Sequence, residues 1–161
     1  IPLLELALLS SGFVIRLLFG AEVLSISLSP WIIICSGLIA LMISVGKRRN
    51  DLEQRIKDSR DLRTSLRGYN LNFLDQCSVL IASITITSYL LFCVSDYATE
   101  SIGKGLIWTS PFVIFSILRY LQLISVNQKG EDPTSMLIGD RVTVSLFLIW
   151  FIHILGLIYI G

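Results

Sequence analysis

Residues 142–160 read VTVSLFLIWFIHILGLIYI and contain no Asp, Glu, Lys or Arg. A helix that crosses the hydrocarbon core of a bilayer needs about 20 consecutive, mostly apolar residues. The stretch therefore predicts a transmembrane helix. Four further apolar runs precede it, and we expect five spans in all, over residues 3–24, 30–45, 72–94, 106–126 and 142–160.

The composition of the whole chain agrees with a membrane protein. Of its 161 residues, 53% are apolar and only 16% are charged, whereas soluble domains average about 25% charged residues. The strict alternation that a membrane β-barrel requires is absent from the sequence. We therefore predict an all-α, polytopic transmembrane helix bundle that forms one domain over residues 1–161. This composition argues against a soluble globule, a disordered chain, a disulfide scaffold and a nucleic-acid-binding domain.

The charges are concentrated in one connection between spans. Residues 46–70 hold eight of the thirteen Lys and Arg residues and four of the twelve acidic ones. Because basic loops stay on the cytoplasmic side, the loop 46–71 is predicted to face the cytoplasm, and the loop 127–141 then lies on the same side. At helical spacing Leu52, Ile56, Leu62 and Leu66 share one face, which favours a helix lying on the membrane surface.

A group of cations stands where the second span is predicted to leave the membrane. Lys47, Arg48 and Arg49 are consecutive, and Asp51 follows them. Three cations at a membrane face can bind a phosphate or pyrophosphate, because Arg offers a planar fork of donors and Lys a point charge. Asp51 would then orient one of these cations or a bound water. The alternative, a basic anchor that binds lipid head groups, stays open at this point.

Two more arginines are predicted on the same side of the membrane, and one lies within it. Arg119 and Arg141 would close the rim of the phosphate site, although Arg119 could also snorkel and the adjacent Asp140 could cap a helix. Arg16 lies near the middle of the first span, where an unpaired charge costs a few kcal/mol. We predict that Arg16 lines a polar chamber, or alternatively forms a structural ion pair. Asp75, near the start of the third span, is expected to cap or pair.

Several stretches together resemble the UbiA-type prenyltransferase superfamily and, within it, the decaprenyl-phosphate phosphoribosyltransferase branch. The order of the motifs is kept along nearly the whole chain. Asp51 replaces the Glu that is usual in the branch's GKRRxEL motif. The matching stretches are Gly12-Phe13-Val14-Ile15-Arg16 with Gly20-Ala21, Ser29-Pro30-Trp31, Gly46-Lys47-Arg48-Arg49-Asn50-Asp51-Leu52, Leu62-Arg63-x-Ser65-Leu66-x-x-Tyr69, Leu118-Arg119-Tyr120-Leu121 and Asp132-Pro133 with Asp140-Arg141.

The resemblance implies a bundle of nine transmembrane helices, of which the five spans would be the fifth to the ninth. It also implies transfer of 5-phosphoribose from phosphoribosyl pyrophosphate to a polyprenyl phosphate, with Mg²⁺ as the cofactor. The superfamily's first acidic motif, NDxxDxxxD, is associated with Mg²⁺ and is absent from this sequence. We therefore expect the chain to be the C-terminal half of a longer protein, catalytically incomplete without four N-terminal helices or a membrane partner. No metal ligand and no catalytic residue is assigned within it.

Two other functions remain open from the sequence. The chain could be a UbiA-like structural subunit of a membrane complex, without catalytic activity. It could also belong to a prenyltransferase that acts on an aromatic acceptor. Such enzymes carry DxxxD after the second of these spans, where this sequence has the basic segment 47–51. That departure favours the phosphoribosyl branch.

Overall fold

The structure is a computed structural model that describes residues 2–26, 28–58, 68–126 and 133–160. Over these ranges the chain is helical and contains no β-strand. A 3₁₀-helix, Lys104–Thr109, leads directly into the fifth α-helix. The α-helices are α1 (Pro2–Val23), α2 (Pro30–Lys57), α3 (Leu71–Cys93), α4 (Asp96–Ser101), α5 (Ser110–Val126), α6 (Pro133–Gly139) and α7 (Arg141–Ile160).

Local sequence explains where these helices begin. The first backbone N–H groups of a helix have no partner within it, and a side-chain oxygen just before the helix satisfies one of them. Ser29 Oγ accepts a hydrogen bond from the backbone N–H of Trp31 at 3.3 Å, directly before the helix-starting Pro30. Asn70 Oδ1 accepts one from the backbone N–H of Phe73 at 2.7 Å. Local sequence therefore explains where α2 and α3 begin.

Five segments are helical, long and apolar enough to cross a membrane. They confirm the predicted all-α, polytopic fold and the number of spans. Four of them begin and end within a few residues of the predicted bounds. The five segments are Leu3–Val23, Pro30–Lys57, Leu71–Cys93, Lys104–Val126 and Arg141–Tyr159.

The second span differs from the prediction at its end. α2 continues without a break for 28 residues to Lys57, so residues 46–57 do not form the separate surface helix that we expected. Glu53 pairs with Arg49 at 2.8 Å and with Lys57 at 3.1 Å, one turn away on either side, and this favours continuation of the helix. Leu52 is 2% exposed and packs in the core instead of facing a membrane surface. Leu62 and Leu66 lie outside the described residues.

The long helices form a curved row in the order α1, α2, α3, α5 and α7, in which Tyr120 of α5 also contacts α2. α2 packs against α1 and α3, α5 packs against α3, and α7 packs against α5. The core lies in the middle of this row, around Val45, Leu74 and Tyr120. The end helices are much less covered, since Leu6 is the only described residue of α1 that is buried and none of those in α7 is. Their apolar faces remain available to lipid or to further helices.

A chain of hydrogen bonds joins three elements away from the core. Trp150 Nε1 donates to Tyr89 Oη at 2.8 Å. The Tyr89 hydroxyl lies 2.6 Å from Thr109 Oγ1, which donates to the carbonyl of Leu106 at 2.6 Å. With Tyr89 as donor to Thr109, every hydroxyl in this chain both donates and accepts one hydrogen bond. The arrangement connects α7, α3 and the 3₁₀-helix.

Removal of the Tyr89 hydroxyl should destabilise the bundle. Tyr89→Phe leaves the indole N–H of Trp150 without its acceptor inside the protein, and we expect the free energy of unfolding to fall by about 1–2 kcal/mol. The measurement is denaturant titration in mixed micelles. Tyr97→Phe is the matched control, because Tyr97 is 49% exposed on α4. Equal effects of the two substitutions would contradict a structural role for the hydrogen-bond chain.

Candidate functional site

The residues predicted to bind phosphate lie at one end of the bundle, which we call the basic end. α2 and α5 run toward this end, and α3 and α7 start from it. Arg141 is the first residue of α7, and Arg119 lies in the second half of α5. Lys47, Arg48, Arg49 and Asp51 lie within about one and a half turns of α2. Residues from three helices that are far apart in the sequence therefore share one end.

Arg49 is the most buried of these cations, with 10% of its side chain exposed. Its Nε donates to Asp75 Oδ1 on α3 at 2.5 Å. Its Nη1 donates to Glu53 Oε2 on α2 at 2.8 Å and to the backbone carbonyl of Ile124 on α5 at 2.7 Å. One guanidinium group thus connects three helices at the centre of the row, and most of its donors are engaged by the protein.

Arg48 and Lys47 are more accessible. Arg48 forms an ion pair through Nη2 with Glu5 of α1 and a 3.3 Å pair through Nη1 with Asp51. Its Nε is buried and has no hydrogen-bond partner among the described residues. Lys47, one residue earlier, is exposed. Of the three consecutive cations, these two are better placed than Arg49 to contact a bound anion.

Arg119 and Asp140 form a two-fold contact between α5 and the start of α7. Arg119 Nε donates to Asp140 Oδ2 at 3.0 Å, and Nη2 donates to Oδ1 at 2.6 Å. Asp140 also caps α7, because its Oδ2 accepts hydrogen bonds from the backbone N–H and the hydroxyl of Thr143 at 2.9 and 2.8 Å. The Arg119 guanidinium, helped by these Thr143 donors, holds the pKa of Asp140 well below its usual range. The carboxylate is therefore ionised whenever the protein is folded near neutral pH.

Acid should remove the contribution of Asp140 to stability. Because the folded-state pKa is lowered, the stabilisation is present above the ordinary Asp pKa of about 4 and is lost as the pH falls from there toward the folded-state value. We expect Asp140→Asn to lower the thermal unfolding midpoint at pH 7 and to lower it progressively less as the pH falls below about 4. Glu100→Gln, at an exposed carboxylate of α4, controls for general charge effects. A pH-independent deficit in Asp140→Asn would contradict this account.

A groove of about 540 Å³ lies between α2, α3, α5 and α7. Most of its lining side chains are aliphatic or aromatic. It extends from Trp31 and Phe92, remote from the arginines, to Tyr120 and Thr143 at the basic end. An apolar groove of this volume is large enough to hold a small molecule or a segment of a lipid chain.

Two lining residues link the groove to the basic end. The Thr143 hydroxyl donates to Asp140, the partner of Arg119. Tyr120 directly follows Arg119, and its buried hydroxyl donates to the backbone carbonyl of Met42 at 3.1 Å. A molecule with an apolar tail in the groove would consequently place its head group near the cations of the basic end.

Arg16 stands apart from this arrangement. It is exposed on α1, and eleven residues, or roughly 16 Å of helix, separate it from Glu5 at the basic end. It is not among the groove-lining residues, and it has no ion pair within the described part of the chain. Gly12 and Gly20, on the same face, have open space beside them. Its assignment to a chamber remains a prediction.

The acidic partners at the basic end are only partly evident from the sequence. The expected pairing of Asp75 is confirmed by its contact with Arg49. Glu53 could have been assigned to Arg49 from its i+4 spacing. Glu5 and Arg48 are 43 residues apart, and no local signal connects them. Arg48 and Glu5 meet only because α1 packs against α2 in the folded protein.

The described residues do not by themselves fit a Mg²⁺ site. Glu5, Glu53, Asp75 and Asp140 each form an ion pair with an arginine. No group of three His, Cys, Asp or Glu side chains is close enough to hold a metal ion within the described ranges. The metal expected from the resemblance therefore remains a prediction.

Three curated proteins similar to this chain share one name, decaprenyl-phosphate phosphoribosyltransferase. The protein from Corynebacterium glutamicum is 29% identical over 161 residues, which cover 99% of this chain and 48% of that protein. The Mycolicibacterium smegmatis protein is 31% identical over 155 residues, covering 91% and 48%. The Mycobacterium tuberculosis protein is 29% identical over 150 residues, covering 91% and 47%. The chain is similar in sequence to the decaprenyl-phosphate phosphoribosyltransferases.

The resemblance predicted from the motifs is thereby confirmed over nearly the whole chain. No protein-family profile matches it. The chain spans about half the length of these decaprenyl-phosphate phosphoribosyltransferases, in agreement with the expected correspondence to half of such a protein. The similarity to the Corynebacterium protein extends over 99% of the chain, so the helices that form the basic end and the groove fall within the matched part.

Proposed function

We propose that the chain forms part of an integral-membrane transferase that moves 5-phosphoribose from phosphoribosyl pyrophosphate to a polyprenyl phosphate. One observation carries the proposal: an apolar groove ends beside a group of arginines and a lysine. A polyprenyl phosphate has the matching chemistry, a long hydrocarbon tail and a charged phosphate. The names of the relatives support the same pair of substrate groups.

In this proposal the basic end binds the phosphates of both substrates. Lys47 and Arg48 are the main contacts, because Lys47 is exposed and the Arg48 side chain is 21% exposed, compared with 10% for Arg49. Arg119 and Arg141 close the rim, and Asp51 orients Arg48 through their 3.3 Å contact. Arg49 holds α2, α3 and α5 together beneath the site. By the positive-inside rule, the basic end faces the cytoplasm.

The proposed chemistry needs no protein nucleophile. A phosphate oxygen of the lipid attacks C1 of the ribose, the bond from C1 to the pyrophosphate oxygen breaks, and pyrophosphate leaves with the bonding electrons. Negative charge on the leaving group increases as the bond breaks, and fixed cations beside it lower the barrier. The residues of this chain would contribute binding, orientation and charge neutralisation. We assign no step to Mg²⁺, because five carboxylates at the basic end each form an ion pair with an arginine: Glu5, Asp51, Glu53, Asp75 and Asp140.

A structural subunit is the second candidate. The exposed faces of α1 and α7 favour it, because a partner protein could cover them. An aromatic-acceptor prenyltransferase is less well supported, since the segment that would carry acidic residues holds Lys47, Arg48 and Arg49. The proposed phosphoribosyl transferase and a structural subunit differ in what they bind. The transferase retains affinity for phosphoribosyl pyrophosphate and polyprenyl phosphate, and the subunit does not.

The deciding experiment measures transfer and binding with the product of the complete gene reconstituted in nanodiscs. The readouts are transfer of radiolabelled phosphoribose to decaprenyl phosphate and the affinity for phosphoribosyl pyrophosphate. We expect Lys47→Ala and Arg48→Ala each to weaken binding of phosphoribosyl pyrophosphate by about tenfold or more, because a hydrogen bond to a charged group contributes roughly 1.5–3 kcal/mol.

Lys104→Ala is the matched control, because Lys104 is an exposed cation at the opposite end of the bundle. It should leave transfer and affinity unchanged. Unaltered turnover and affinity in both Lys47→Ala and Arg48→Ala would refute the phosphate site. A wild-type protein that binds neither substrate would favour the structural subunit.

A further inference from the structure

Toward its far end the apolar groove is bordered by four aromatic side chains, which we call the aromatic wall: Trp31, Tyr89, Phe92 and Trp150. The rings of Trp31 and Phe92 lie 6.3 Å apart between centroids, and those of Tyr89 and Phe92 lie 6.2 Å apart. Trp150 completes the wall through its 2.8 Å hydrogen bond to Tyr89. The wall therefore crosses from α2 through α3 to α7.

The wall is held in place by contacts that do not involve the groove. The Tyr89 hydroxyl is fixed between Trp150 and Thr109, and Thr109 is the fully buried last residue of the 3₁₀-helix. Rotation of Tyr89 out of the wall would break both hydrogen bonds. The aromatic wall is thus a firm boundary of the groove.

The rest of the lining accepts hydrocarbon better than a polar molecule. Two of its hydroxyl groups are engaged by their own helices, since Thr85 donates to the carbonyl of Ile81 at 2.7 Å and Ser116 to that of Phe112 at 2.8 Å. They therefore offer no donor to a ligand in the groove. Aliphatic side chains such as Ile39 and Ile117 form most of the surface between them.

The length of the groove limits how much of a tail it holds. Trp31 and Ile43, at its two ends on α2, are twelve residues apart, which is roughly 18 Å of helix. An extended chain advances about 1.2 Å per bond, so the four main-chain bonds of one isoprene unit span about 4.8 Å. The groove therefore accommodates about four isoprene units between the basic end and the aromatic wall.

We infer that the aromatic wall limits recognition of the lipid to about the first four isoprene units after the phosphate. This inference rests on the proposed function and adds a specificity determinant to it. Units beyond the fourth extend out of the open side of the groove into the bilayer, where they contact lipid instead of protein. Such a site selects against short isoprenoid phosphates and does not distinguish among long ones.

The test is competition against radiolabelled decaprenyl phosphate, bound to the complete gene product in nanodiscs, by unlabelled isoprenoid phosphates of two to ten units. Each competitor is compared at the same mole fraction in the bilayer. We expect affinity to rise with each unit up to about four and then to become constant. Phe92→Ala opens the wall, so the rise should continue to at least the fifth unit. Leu91→Ala, at a neighbouring side chain that is 53% exposed and outside the groove lining, is the control and should leave the profile unchanged.

A second variant tests the same idea without disturbing the wall. Ile39→Trp fills the groove four residues, or roughly 6 Å of helix, from Ile43. It should weaken binding of four-unit and longer phosphates at least several-fold, so that affinity no longer rises between two and four units. Two results would overturn this inference and leave the proposed function standing. One is an affinity that rises steadily to ten units in the wild type, and the other is identical affinity profiles in Phe92→Ala and Ile39→Trp. Equal competition by dioleyl phosphate would show a general lipid-chain groove and would overturn the isoprenoid assignment. Failure of every isoprenoid phosphate to compete, or to bind, would overturn the proposed function itself.

Discussion

Arg49→Ala should lower the free energy of unfolding by about 3 kcal/mol, the largest effect that we expect from a single substitution at the basic end. The substitution leaves Glu53, which is 15% exposed, and the carbonyl of Ile124 without their partner. It also removes the contact that ties α3 to α2 through Asp75. Arg49→Lys should recover part of the loss, because it keeps the charge and loses the planar fork of donors. The measurement is denaturant titration in mixed micelles.

Arg141→Ala is the matched control for Arg49→Ala. It removes an exposed arginine from the same end of the bundle and should change the free energy of unfolding by less than about 0.5 kcal/mol. Asp75→Asn combined with Arg49→Ala should cost less than the sum of the two single changes, because the residues are in direct contact. If Arg49→Ala costs no more than Arg141→Ala, Arg49 does not connect the helices as described.

Gly46→Ala should destabilise the protein by about 2 kcal/mol, although alanine is the better helix former. A methyl group at position 46 would overlap the hydroxyl of Tyr120 and lie 3.3 Å from its Cζ. Tyr120 is only 2% exposed and its hydroxyl is bonded to Met42, so it has little freedom to move. The gain in helix propensity is about 1 kcal/mol. Crowding of a packed core costs about 1–3 kcal/mol. Displacement of the Tyr120 hydroxyl also weakens its hydrogen bond to Met42, which costs about 1 kcal/mol more. The two costs together exceed the gain in helix propensity.

Two further variants separate crowding from other effects of Gly46→Ala. Tyr120→Phe removes the oxygen that lies nearest to the new methyl group, so it should restore part of the lost stability when it is combined with Gly46→Ala. Gly12→Ala is the control, because nothing lies within 4 Å of its Cβ position; it should be neutral or slightly stabilising. A stable Gly46→Ala single variant would show that α2 and α5 are farther apart than described.

The sequence was most informative where structure depends on neighbouring residues. Apolar runs of about 20 residues predicted the five spans, because the thickness of a bilayer imposes that length on each helix. The continuation of α2 to Lys57 was missed, since the charged segment was interpreted as a loop outside the membrane. Glu53, with ion pairs to both Arg49 and Lys57, shows that the same charges stabilise a helix there.

The candidate site was predicted as a set of residue types and not as a set of contacts. Lys47, Arg48 and Arg49 were treated alike in the sequence, because consecutive cations carry no information about their partners. In the structure they point in different directions around α2. Arg49 turns inward to Asp75 and Ile124, Arg48 pairs with Glu5, and Lys47 is exposed. Consecutive residues of a helix are about 100° apart, so neighbours in the sequence meet different surroundings.

The sequence by itself determined that this protein is a bundle of membrane helices with a basic end, because hydropathy, helix caps and charge act over a few residues. Its likeness to the decaprenyl-phosphate phosphoribosyltransferases was also readable from ordered motifs. Only the tertiary structure decided which arginine is held by the protein and which can face a ligand. It alone produced the groove and the aromatic wall, since Trp31, Phe92 and Trp150 come from three helices. Such contacts depend on how helices distant in the sequence pack, and no local pattern encodes them.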